Sequence, residues 1–114
     1  LAVLAVVVVI ATRSDGRPAP SVLVAVCEVA RAAREGDHDR ARVAFFDDAH
    51  EPLHQLATTA AGGGDRGAAA RLLEAKNVVE SAEPGPTPAA ADDLVDATRA
   101  ALAATGNRSP LPCP

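Results

Sequence analysis

The chain has no tryptophan, tyrosine or methionine, and only two phenylalanines, Phe45 and Phe46. Aromatics make up 2% of the sequence. Their scarcity removes the stacking platforms on which single-stranded nucleic acid is held. It also removes the thioethers that a copper(I) carrier would use. Excess positive charge is missing too: 11 basic residues stand against 15 acidic ones, for a net charge of −4. A nucleic-acid binder carries a basic face, so no nucleic-acid partner is expected. Lys76 is the only lysine. After residue 11 there is no strand-like apolar run. No repeat with a period of about 30 to 45 residues stands out, which argues against a solenoid.

What the chain does have is small aliphatic side chains. Of its 114 residues 48% are hydrophobic, mainly Ala, Val and Leu. Alanine is the best helix former, and its small side chain lets helices approach closely. The length allows one domain with one modest core.

The single long apolar run is residues 1–11, LAVLAVVVVIA. A bilayer-spanning helix takes about 20 residues, so this run fits the apolar part of a signal peptide better. Val9-Ile10-Ala11 resembles a small-x-small cleavage site. A membrane anchor continuing upstream of Leu1 is the alternative. Residues 12–20, with Gly16, Pro18 and Pro20, read as a linker, and residues 1–20 together as an export or anchor segment. The membrane is therefore one expected partner, through this segment. The expected location is extracytoplasmic: secreted, periplasmic or membrane-anchored at a bacterial envelope.

Residues 21–106 read as an all-α, up-down-up-down bundle of about four helices. The first covers 21–35, capped by Ser21 and stopped by Gly36, with Val22, Val26, Val29, Ala30 and Ala33 inward. Asp37 caps a second, 38–61, with Phe45, Ala49, Leu53, Leu56 and Ala60 on one face. Pro52 interrupts it and predicts a kink near Asp48, or a break. Asp65 caps a third helix to about residue 82, with Ala69, Leu72, Leu73, Lys76 and Val79 inward. Glu80 sits at its edge, one turn from Lys76 and placed to pair with it. Thr87 and Pro88 start a fourth, with Ala91, Leu94, Val95, Thr98, Ala101, Leu102 and Thr105 inward and Gly106 as its stop. Residues 107–114 form an irregular tail.

Cys27 and Cys113 are the only cysteines. In an even-numbered antiparallel bundle the first helix starts where the last one ends. The tail after Gly106 can reach back about 25 Å at full extension. A Cys27–Cys113 disulfide is therefore expected, and an oxidising compartment would keep it.

His50-Glu51-Pro52-Leu53-His54 resembles, over five residues, the H-E-x-x-H pattern of zinc proteases. There two histidines one turn apart grip zinc and the glutamate activates water. Here Pro52 lies inside the pattern. The third histidine, His38, sits about 18 Å back along the same helix, too far to complete three ligands. No enzymatic activity is expected. A divalent-metal site remains a candidate: His50 and His54, with a carboxylate from Glu80 or Asp47, suit Zn²⁺, Cu²⁺ or Ni²⁺. The competing reading has His50 closing the edge of the core by a hydrogen bond to Glu80 and His54 in solvent. The function expected is thus a non-enzymatic binding or structural module without a cofactor, possessing a protein partner if it binds. The alternative is a periplasmic metal-binding domain.

Overall fold

The computed structural model describes residues 18–106 and Cys113. The expected export segment and most of its linker lie outside the described residues, as does the tail apart from Cys113. The chain forms α1 (Pro18–Arg34), α2 (His38–Val43), a π-helical segment (Ala44–Ala49), α3 (His50–Gly62), α4 (Arg66–Ser81) and α5 (Pro88–Ala104). Among the described residues there is no strand. Because α2, the π segment and α3 follow one another without a break, the whole is a bundle of four helices. This is the all-α class expected.

The junctions show why neighbours run antiparallel. Gly36 has φ +73°, a left-handed turn that a side chain would strain. Gly36 N–H donates to the Ala33 carbonyl at 3.1 Å and Asp37 N–H to the Ala32 carbonyl at 2.9 Å. The Asp37 carboxylate then accepts from Arg40 N–H at 3.1 Å. One residue closes a helix and the next opens another. The device recurs at Gly64 (φ +98°) and Asp65, whose carboxylate accepts from Ala68 N–H at 2.9 Å. Thr87 caps α5 through Ala90 N–H, ahead of Pro88.

Helix α1 begins at Pro18, not at the expected Ser21. A proline in the first turn lacks only an N–H that has no helical partner there anyway, so Pro18 and Pro20 do not stop it. α1 is also more central than its pattern implied. Beyond the expected face, Leu23, Ala25, Cys27 and Ala32 are buried as well. It packs on α5 along one side and on α2, the π segment and α3 along the other. Arg34 at its end meets Asp92 at the start of α5, at 3.4 Å.

The disturbance expected near Asp48 takes the form of the π segment. In a regular helix the Pro52 ring would strike the Asp48 carbonyl. Instead His50 N–H reaches the Phe45 carbonyl, five residues back. Pro52 thereby becomes the third residue of α3, which continues directly from the π segment. Phe45, Ala49 and Leu53 all remain buried across the wider turn. Three inward assignments change, Thr105 being half-buried at the end of α5. Leu56 is half-buried while its neighbour Ala57 is buried, and Leu73 is exposed while Ala75 takes its place in the core.

Candidate functional site

The chemistry of the chain gathers where the start of α3 meets the end of α4. Lys76 is 6% exposed, deep for a lysine. Its stem lies at the core face of α4, and its Nζ donates to Glu80 Oε1 at 2.8 Å. The i,i+4 spacing on α4 brings the two together. From α3, His50 Nε2 approaches the same Oε1 at 3.5 Å. One carboxylate oxygen thus faces two nitrogen bases from two helices.

Aromatic rings continue the row. Phe46 stacks on His50 with centroids 6.2 Å apart and planes 24° from parallel. Phe45 stands nearly perpendicular to both rings, its centroid 5.0 Å from that of Phe46 and 5.9 Å from that of His50. The Arg42 guanidinium lies 5.6 Å from the Phe46 centroid, a cation–π contact. Its Nη1 also donates to Glu83 at 3.2 Å, in the loop between α4 and α5. That loop comes close to α2. A Cβ on Gly85 would lie 2.8 Å from His38 Nδ1, so glycine permits the approach.

The Lys76 hydrogen bond is the main reason the Glu80 carboxyl is held below its usual range. Partial burial pushes the other way, and the Lys76 charge and His50 add to the lowering. A second ionic knot joins α1 to α2. Glu28 accepts from Arg31 at 2.7 and 2.9 Å and from Arg40 Nε at 2.9 Å. The Arg31 hydrogen bond leads in lowering its carboxyl, opposed by desolvation and reinforced by Arg40.

Of the four residues considered for a metal, His50 and Glu80 are together. His54 and Asp47 are exposed. Among the described residues no three or more His, Cys, Asp or Glu side chains form a group that could hold a metal ion. One objection raised from the sequence is corrected: Pro52 does not disrupt the turn between His50 and His54. Both lie in the α-helical α3, and the irregular turn comes before them. What the arrangement lacks among the described residues is a third ligand. Glu80 Oε1 is already engaged by Lys76, and the Phe46 ring covers one face of the His50 imidazole.

Cys27 and Cys113 sit at disulfide distance, with sulfurs 2.07 Å and Cα atoms 5.4 Å apart. Cys27 is buried on α1, and Cys113 packs half-buried against the core. Arg99 on α5 places Nη2 3.8 Å from Cys113 Sγ.

The row Arg42, Phe46, His50 was not anticipated, although the signal was there. The three follow at steps of four residues, which places them along one helix flank. The Arg42–Glu83 contact had no such signal, because a loop conformation decides it.

No protein-family model matches the chain, and no curated protein or solved structure is significantly similar to it.

Proposed function

We propose that the chain is a non-enzymatic, extracytoplasmic helical-bundle module with a binding or structural role, held at the cell envelope through its N-terminal apolar segment. The observation that carries this reading is the Cys27–Cys113 pair at disulfide distance. Disulfides persist in oxidising compartments and are rare in reducing ones. The apolar run at residues 1–11 agrees with it, as the export signal such a compartment requires. The titratable cluster supports a structural role. Lys76, Glu80 and His50 are engaged with one another across the α3–α4 seam. Among the described residues no helix is long and apolar enough to cross a membrane, so envelope attachment in this reading rests on the N-terminal segment alone.

A divalent-metal role is the competing reading. It is favoured by His50 and His54 lying one turn apart on an uninterrupted α-helix. It needs a third ligand from solvent or from a partner.

Cell fractionation of the full chain tests the proposal. It predicts recovery with the envelope or the secreted fraction, lost when residues 1–11 are deleted. Recovery in the cytosolic fraction with and without those residues contradicts it.

A further inference from the structure

We propose that two copies of this chain associate through the ridge formed by α2, the π segment and the first turn of α3, antiparallel about a two-fold axis level with the Ala44–Phe45 peptide. The inference rests on the order of side chains along that ridge. It stands whether or not the envelope role is correct.

Residues 38–51 form one continuous helical rod. In a regular α-helix, residues four apart drift by about 40° at each step. The π turn is wider and takes back part of that drift. Arg42, Phe46 and His50 consequently form a straight row, each beside the next. Asp39, Val43 and Asp47 follow at the same spacing on the adjoining side, and all three are exposed. Val43 and Phe46, 56% and 43% exposed, form the apolar centre of this surface. Asp39 and Asp47 make no ion pair among the described residues, whereas Glu28, Glu80 and Glu83 each meet a cation.

Single exposed apolar side chains are ordinary. What selects a second copy is the sequence of charges around them. In the antiparallel arrangement Val43 falls level with Phe46 of the second copy, Arg42 with Asp47, and Asp39 with His50. Two-fold symmetry makes each contact twice. The apolar centre is thus flanked at both ends by an Arg42–Asp47 pair, and Asp47 gains from the second copy the cation it lacks in its own chain. Arg42 can serve both carboxylates. Its Nη1 is taken by Glu83, and a guanidinium has further donors. A parallel arrangement would set Arg42 against Arg42 and Asp47 against Asp47, which like-charge repulsion opposes. The ridge is short, so the contact belongs with the small, weak interfaces below about 1,200 Å² in total. The dimer forms at high protein concentration and parts on dilution.

Sedimentation equilibrium of the full chain at low salt reads the dissociation constant. Arg42→Glu and Asp47→Lys each turn two attractive contacts repulsive, and each should weaken association at least about tenfold. Mixed in equal amounts, the two variants should pair with each other within about threefold of the wild-type constant, since every contact is again between opposite charges. The introduced carboxylate of one faces the introduced ammonium of the other, and the remaining Asp47 faces the remaining Arg42. Circular dichroism checks that both variants keep their helices. Val43→Ser, which leaves every charge in place, should weaken association as well. A wild-type chain that stays monomeric at every concentration overturns the proposal. So does association unchanged in Arg42→Glu, Asp47→Lys or Val43→Ser, or a mixture of the two charge variants that stays monomeric.

Discussion

Lys76 Nζ lies 2.8 Å from Glu80 Oε1 with the lysine side chain only 8% exposed, while Glu80 remains 38% exposed. The asymmetry decides how the pair behaves. The ammonium has left water and depends on the carboxylate, whereas the carboxylate still reaches solvent. Removing the acid therefore costs more than removing the base. Glu80→Gln is expected to destabilise the fold by about 1–3 kcal/mol, the range for a buried charge that loses its partner at a site water can still approach. Lys76→Met, which keeps the stem and removes the charge, should cost less. The double substitution should recover most of the Glu80→Gln loss. Denaturant unfolding of the four proteins completes the cycle, and strict additivity would show that the pair is not coupled.

Acid should weaken both ionic clusters. Glu80 and Glu28 both have folded-state carboxyls below their usual range, because hydrogen bonds from Lys76 and Arg31 favour the charged form. A lowered folded pKa gives stability that is present above the unfolded carboxylate value and is lost as pH falls through the folded one. Melting temperature should therefore hold near neutrality and fall below a pH of about 4.5, with both side chains contributing. Replacing Glu80 and Glu28 by Gln should flatten that fall. An equally steep fall in the double variant would place the acid sensitivity elsewhere.

The adjacent phenylalanines should differ sharply. Phe45 is fully buried, whereas Phe46 is 43% exposed beneath Arg42. Phe45→Ala is expected to cost about 3–5 kcal/mol. Phe46→Ala should cost about 1 kcal/mol, from lost ring stacking and the cation–π contact. Similar costs at the two positions would mean that the π segment presents its rings differently.

Metal titration distinguishes the two readings of the histidines. With Glu80 engaged by Lys76 and no third ligand in place, Zn²⁺ and Cu²⁺ are expected to bind weakly. That binding should be no weaker in His50→Ala. Micromolar binding abolished by His50→Ala or His54→Ala would restore the metal reading.

Much of the bundle was legible because local signals agreed with the global pattern. Gly36-Asp37, Gly64-Asp65 and Thr87-Pro88 each mark a junction by residue type alone, and each junction formed as read. The i,i+4 Lys76–Glu80 pair and the disulfide partners followed from helical spacing and antiparallel order. What escaped was set by neighbours. The near-complete burial of α1 depends on helices packing from two sides, which its own amphipathic pattern does not encode. Leu73 and Leu56 were assigned inward from helical spacing, yet Ala75 and Ala57 are the residues buried there, as the close approach of the helices favours small side chains. Pro52 announced a disturbance, but not that a wider turn would absorb it and leave His50 and His54 on regular helix.

The most direct measurement is the thiol count of the full chain as recovered from its host, alkylated under denaturing, non-reducing conditions. The account predicts no free thiol, and two after reduction. Two free thiols before reduction would contradict it, because Cys27 and Cys113 would then not be joined where the protein works.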